Sequence, residues 1–270
     1  MPATRADGTM AQLRPCLRRP GQWDALSVQA QPPHANVPLR AGEELRISER
    51  MTARVLGRRP DIPLLWRLAV SHDGLEEIEA LGEPIRYSYV PEPIPLDFYQ
   101  NVYAGRAGSA EMPSAGRPFS RELLGSLRAS GIDTAELLLH TGLSSFQDDA
   151  FDAEHHMYEE WFEVDDAAAA AANAASRVIA VGTTVVRALE SAVGADGRVR
   201  PAYDWTSLAI HGGRTIRAVD ALITGLHEPT ASHLDLLRAF VDEPLLRRAY
   251  DEAIERRYLW HEFGDSMLIL

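Results

Sequence analysis

Arg177-Val178-Ile179-Ala180-Val181-Gly182-Thr183-Thr184-Val185-Val186-Arg187-Ala188-Leu189-Glu190-Ser191-Ala192 is the stretch that decides the fold. Residues of strand character end at a glycine and two threonines follow. Val185, Leu189 and then Ala192 with Val193 recur at helical spacing, so one face of the helix can lie on the strand's sheet. Thr183 or Thr184 is the expected N-cap. A glycine-turned helix start at the carboxyl end of a strand offers amide groups to an anionic or carbonyl ligand. Arg187 is the odd residue. A cation in the first turn opposes the helix dipole by roughly 0.3–1 kcal/mol, so a negative group is expected nearby. Glu190 or Ser191 in the same helix is the plainest partner.

Composition narrows the classes. The 270 residues suffice for one large domain or two modest ones, and 46% apolar with 24% charged residues is the balance of a globular protein. No run of eighteen apolar residues occurs and the opening residues hold no secretory apolar core, so no membrane span and a cytoplasmic location are expected. Cys16 is the single cysteine, which excludes an internal disulfide and a thiolate metal cluster. All 27 basic residues are arginine, which removes Schiff-base chemistry and the phosphate-loop lysine. Residues 1–70 carry 11 arginines against 6 acids (+5), and residues 71–270 carry 16 against 33 (−17). The basic part could touch phosphates and the acidic part would repel them; scattered solvated arginines are the plain alternative.

Outward from the central stretch, the chain divides near residue 84 into a small domain, 1–84, and a larger one, 85–270. Residues 1–20 are Arg- and Pro-rich without periodicity. Leu26–Ala30, Leu45–Ile47, Met51–Val55 and above all Ile62–Val70 alternate with period two, which reads as a small antiparallel barrel or sandwich. Asp73 to Gly82 predicts a short helix, Ile85–Val90 a strand, and the segment opening at Pro95 a helix. Thereafter strands and helices alternate. A helix capped by Ser120 runs to about Ala129 with Gly131 as its stop, and a strand Ala135–His140 follows. Ala167–Ala175 is a helix. Strands are expected at Ser207–Ile210 and Thr215–Ile223, and helices at about 230–241 and 244–257. The fold class is α/β: a large, barrel-like α/β domain with a small antiparallel β-barrel on its N-terminal side.

Polar residues collect at three expected strand ends: His140-Thr141-Gly142, Gly182-Thr183-Thr184 and Thr224-Gly225-Leu226-His227-Glu228. Ligands of α/β folds bind at such carboxyl ends when the strands are parallel. His140, His227, Glu228, Glu262 and Asp265 are then candidate acid–base or orienting groups. His155-His156 with Glu154, Glu159 and Glu160 resembles a metal cluster, but adjacent histidines project differently on a helix or a strand, so a solvated acidic face is the preferred reading and no metal is expected. The Gly-x-Ser-x-Gly elbow and the Gly-x-Gly-x-x-Gly loop are both absent.

Seven segments in register resemble one family, the S-adenosylmethionine:tRNA ribosyltransferase-isomerases of queuosine biosynthesis. They are Tyr99–Ala104, Pro113–Gly116, Leu139–Gly142, Glu154–Met157 with Trp161–Val164, Val178–Ser191, Leu222–Pro229 and Phe263–Met267. The resemblance implies an α/β domain interrupted by a small β-barrel. It implies an enzyme that moves the ribosyl part of S-adenosylmethionine onto 7-aminomethyl-7-deazaguanine in a tRNA anticodon and isomerises it to epoxyqueuosine. S-adenosylmethionine is the co-substrate and tRNA the partner; no bound cofactor or metal is implied. On this resemblance His140, His227 and Asp265 are the catalytic candidates. Gly182, Thr183, Thr184, Arg187, Glu190 and Glu163 are the substrate-binding candidates, the turn with Arg187 suiting a carboxylate or a ribose hydroxyl.

The chain departs from the family pattern at several places. Arg117 and Pro118 stand where leucine and histidine are usual, and Tyr158 where histidine is typical. Gly225-Leu226-His227 replaces asparagine-phenylalanine-histidine, and Thr230-Ala231-Ser232-His233 replaces the serine-threonine pair. The family's opening asparagine-aspartate-threonine-arginine strand is missing before barrel-like sequence at Arg5–Gly8, so an N-terminally shortened, divergent member is expected. Histidine is the side chain best suited to proton transfer near neutrality, so its loss keeps two other readings open: an RNA- or ligand-binding paralogue with altered chemistry, and an enzyme using the same co-substrate with another acceptor.

Overall fold

The computed structural model describes residues 1–30, 34–85, 90, 92–143, 159–228 and 233–270. Among them the chain forms two compact units. The first takes in Met1–Ile85, Arg106–Glu111 and the described residues of 141–156; the second takes in the remainder.

The first unit is a closed six-stranded antiparallel barrel. Its strands are β1 (Pro2–Arg5), β2 (Met10–Arg19), β3 (Gln22–Val28), β4 (Glu44–Arg46), β5 (Thr52–Arg58) and β6 (Trp66–Val70), in the order β1-β2-β3-β6-β5-β4 with β4 closing on β1. Alternate side chains point inward. Ala3, Leu13, Trp23, Ala25, Leu45, Ala53, Val55 and Leu68 fill the centre. Helix α1 (Leu75–Leu81) follows the last strand, and its Ile78 and Leu81 pack on that core.

The N-terminal residues that show no periodicity are strands β1 and β2. The bulge between Pro15 and Leu17 shifts the register, so Ala11 and Leu13 are buried before it and Cys16 and Leu17 after it. One extra residue in a strand resets the alternation. Small inward residues such as Ala3 and Ala11 add little apolar signal of their own.

The second unit contains two three-stranded sheets among its described residues, and not a single closed barrel. One is antiparallel, ordered β10-β8-β7, from β7 (Leu138–Leu139), β8 (Glu160–Val164) and β10 (Ala202–Thr206). The other is mixed, ordered β12-β11-β9. Here β9 (Ile179–Val181) runs parallel to β11 (Ala221–Gly225), and β12 (Ser266–Ile269) runs antiparallel to β11. Helices α2 (Arg121–Ala129), α3 (Asp166–Ala174), α4 (Thr183–Ala192), α5 (His233–Leu237) and α6 (Glu243–Glu255) complete it, with 3₁₀ turns at Leu96–Phe98 and Ser114–Gly116. Val186, Ala188, Leu189 and Ala192 of α4 share a core with Phe162 and Val164 of β8 and with Ala180 and Leu222 of the mixed sheet.

Ser120 caps α2 as expected, its Oγ accepting from Leu123 N at 3.1 Å. Other boundaries differ. The segment at Pro95 makes only a 3₁₀ turn, and the strand expected at Ala135–His140 shrinks to two residues. The strand expected at Ser207–Ile210 lies earlier, at Ala202–Thr206. Ile210 is buried without joining a ladder, whereas Tyr203, Asp204 and Trp205 pair with β8, the first two exposed and Trp205 half-buried. Apolarity marked burial there, and the hydrogen-bonded strand was the polar stretch. The expected strand Ile85–Val90 and the cluster Glu154-His155-His156 with Tyr158 lie mostly outside the described residues, as do Pro229 and Thr230–Ser232.

Candidate functional site

The strand–turn–helix forms as the sequence predicts, but its cap does not. Gly182 itself is the N-cap, and no side chain caps the helix. Gly182 N donates to Ile223 O at 2.8 Å, which ties the turn to the parallel neighbour β11. Its φ of 104° and ψ of 143° fall in a region that glycine alone adopts without strain. Neither threonine hydroxyl is needed to satisfy the first turn, and both side chains are half-buried.

Arg187 answers the charge question. It is only 8% exposed. Its Nη1 donates to the Glu160 carboxylate on β8, and its Nε donates to Leu208 O at 2.8 Å. The negative group is therefore on a neighbouring strand and not in the helix. Ser191 instead donates its hydroxyl to the Arg187 carbonyl at 2.8 Å. Glu160, read as part of a solvated acidic face, is buried. The second terminal nitrogen of Arg187, Nη2, is buried and has no hydrogen-bond partner among the described residues. A buried guanidinium donor left without an acceptor is costly.

Glu190, one turn further on, holds the approach to β11. Its Oε1 accepts from Arg217 N at 2.8 Å and Ala218 N at 2.7 Å. Glu163 is half-buried on β8 and accepts from Trp161 Nε1 at 2.9 Å. His140 follows β7, and its backbone N donates to Trp161 O at 2.9 Å. Both belong to the antiparallel sheet. Of the three glycine turns, only those after β9 and β11 close parallel strands.

The end of β11 gathers an imidazole stack. His227, 6% exposed, lies flat on His233 with ring centroids 3.9 Å apart and planes 5° apart; His261 covers it at 4.3 Å. Gly225 permits this, because a Cβ there would sit 2.5 Å from His261 Cβ. Burial, then the two neighbouring imidazoles, holds the His227 pKa well below its ordinary value. Burial and His233 lower that of His261 to about 4. His227 is thus a neutral base at neutral pH, with Nε2 3.4 Å from Thr224 Oγ1. Parallel rings send their in-plane lone pairs side by side, so the stack does not converge on one ion. Among the described residues no cluster of three potential ligands is arranged for a metal. Neither His233 nor His261 was singled out by the sequence; only their return to one strand end reveals them.

Asp265 is exposed and tethered. Its Oδ2 accepts from Leu259 N at 2.7 Å and its carbonyl from Leu226 N at 2.9 Å. β9 and β11 are paired, and Gly225 faces Ser266 across β11 and β12. Gly182–Thr184, His227 and Asp265 therefore emerge at one end of one sheet. Arg187 rises behind them from the helix, and His140 and Glu163 belong to the other sheet.

These elements define an α/β protein carrying a closed β-barrel unit and a glycine-turned helix start at the same sheet end as a neutral histidine. The chain belongs to the family described as queuosine biosynthesis protein, whose profile matches residues 6–269. It is 39% identical over 247 residues to an S-adenosylmethionine:tRNA ribosyltransferase-isomerase of Moorella thermoacetica, covering 88% of this chain and 72% of that protein. It is 41% identical over 203 residues to the enzyme so named in Symbiobacterium thermophilum, covering 72% and 59%. The chain thus spans between 59% and 72% of the length of these two relatives. A crystal structure of S-adenosylmethionine tRNA ribosyltransferase from Thermotoga maritima aligns over 100% of this chain and 78% of its own, with 26% identity and a TM-score of 0.46. Among the described residues no helix is long and apolar enough to cross a membrane.

Proposed function

We propose that this protein is an enzyme that uses S-adenosylmethionine as co-substrate to modify tRNA. It transfers the ribosyl group to 7-aminomethyl-7-deazaguanine and isomerises it to give epoxyqueuosine, with release of adenine and methionine. Family membership supports the reaction. The observation that carries the site is Arg187, buried, paired to Glu160 and left with one uncommitted donor, on a helix that opens at the Gly182 turn.

In this reading the amides of Thr183 and Thr184 and the Nη2 of Arg187 hold the methionine carboxylate. A guanidinium is suited to that anion because it offers a second donor in the same plane. His227 takes the proton from the carbon beside the sulfonium, a step that needs an imidazole still neutral at working pH. Asp265 and His140 are the remaining acid–base groups, one of which protonates the departing adenine. Glu163 lines the ribose side, and Glu190 acts through the loop it holds.

Incubation of the protein with S-adenosylmethionine and precursor-bearing tRNA, followed by chromatography for free adenine, tests this. Adenine release that requires both substrates is expected. Arg187→Lys, which keeps the charge but loses the planar fork, should weaken S-adenosylmethionine binding by about tenfold. Binding without adenine release would instead favour a non-catalytic paralogue, and release without tRNA an enzyme with another acceptor.

A further inference from the structure

Within the second unit a cavity of about 410 Å³ opens to solvent between the Leu96–Phe98 turn and the start of α2, lined by Asp97, Phe98, Gln100, Arg117, Phe119 and Arg121 among others. The size is that of a small-ligand pocket. None of its residues belongs to the strand-end site.

The lining has a specific chemistry. Phe98 is 59% exposed and offers an unpacked aromatic face. The Arg117 guanidinium is fixed over the Phe263 ring, 4.7 Å from its centroid, with Nη1 donating to Glu262 O at 3.1 Å. Tyr99, next to Phe98, meets the same Phe263 ring edge-on at 4.9 Å. Arg121 and Asp97 form no ion pair among the described residues, and Gln100 makes no side-chain hydrogen bond among them. Glu122 also lines the cavity but is held in the first turn of α2, where its own amide and then the Ser120 hydroxyl keep its carboxyl below the usual range.

One free carboxylate, one free guanidinium, one free amide and an exposed ring do not suit a simple anion, because the charges balance. They suit a ligand that is flat, carries a cation on one edge and a phosphate on another. A purine-like base stacks on Phe98, Gln100 reads a base edge, Arg121 meets the backbone phosphate, and Asp97 pairs with an ammonium substituent. We infer that this cavity receives the acceptor nucleotide, an unstacked purine-type base bearing a cationic aminomethyl arm, with Phe98 as its platform and Asp97 as the reader of the amine. The inference rests on the tRNA-modifying reading above and assigns its acceptor subsite.

The test is fluorescence anisotropy of the full chain, without S-adenosylmethionine, against two labelled anticodon stem-loops. One carries 7-aminomethyl-7-deazaguanine and the other guanine at the same position. The parent should prefer the amine-bearing RNA. Asp97→Asn should abolish that preference, weakening only the amine-bearing RNA by about tenfold. Phe98→Ala should weaken both RNAs by about tenfold. Both side chains are exposed, so each variant should keep the parental circular dichroism. If Asp97→Asn and Phe98→Ala bind both RNAs as the parent does while the parent still prefers the amine, the subsite is wrong and the proposed function stands. If the parent shows no preference for the amine, both fall.

Discussion

Arg187 on helix α4 and Glu160 on strand β8 form a buried ion pair that joins the helix of the Gly182 turn to the antiparallel sheet. Helix α4 also follows β9 of the mixed sheet directly, so the pair locks one helix between two sheets. A cation near the start of a helix is unfavourable in isolation, and the partner that offsets it comes from 27 residues earlier in the chain.

Breaking one side of that pair should cost more than removing both. Arg187→Ala strands the Glu160 carboxylate in the core, and a loss of about 3–5 kcal/mol is expected. The double variant Arg187→Met, Glu160→Met should recover much of that, since no buried charge remains. Urea unfolding of the two single variants and the double variant measures the coupling. Additive losses would contradict a direct pair.

Gly182→Ala should destabilise the protein by about 1–3 kcal/mol, because the backbone at φ 104° must be held there against a Cβ. Steric room is not the issue, as the added atom would lie 3.4 Å from Thr184 Oγ1 and 3.7 Å from Ala115 Cβ. Thermal denaturation gives the loss, and calorimetric titration with S-adenosylmethionine should show weaker binding in the same variant.

The imidazole stack makes stability fall with acid. His227 and His261 bind protons less readily in the folded chain than in the unfolded chain, whose imidazoles titrate near 6.5. The unfolded state therefore takes up more protons as pH drops below about 6.5, and stability declines from there to about pH 4. The decline from this source should be on the order of 2 kcal/mol. His261→Phe keeps a ring against His227 and removes one titrating group, so its melting temperature should depend less on pH across that window. An unchanged slope would show that other groups control acid stability.

Asp24 plays the corresponding role in the barrel. It is 1% exposed and accepts from Arg59 Nη1 at 3.0 Å and from Arg67 Nε at 3.3 Å. Its backbone carbonyl accepts from the Cys16 thiol at 3.0 Å, and burial, with the Asp24 carboxylate adding, pushes the Cys16 pKa up. Native Cys16 should react with a thiol reagent only on unfolding. Asp24→Ala, leaving Arg59 without that partner, should cost about 3–5 kcal/mol and accelerate Cys16 labelling. Equal labelling rates in parent and variant would separate the two residues.

The sequence by itself determined the elements whose signals are local. Gly182 followed by Thr183 and an apolar 3.6-residue repeat could only be a turn into a helix, and Ser120 with Gly131 framed α2. The strands from Leu45 to Val70 alternate clearly enough to announce an antiparallel unit. Seven motifs in order carry the family resemblance by themselves. Tertiary structure decided what local pattern cannot carry. The barrel's first two strands were hidden by a bulge at Pro15–Leu17 and by small inward residues. The N-cap fell to Gly182 because the backbone there is tied to Ile223, a contact 41 residues away. Arg187 found Glu160, and His227 found His233 and His261, because strands distant in sequence end side by side. Periodicity reports how one segment meets a surface. Charge partners and stacked rings depend on which segments share that surface, and only the folded chain fixes it.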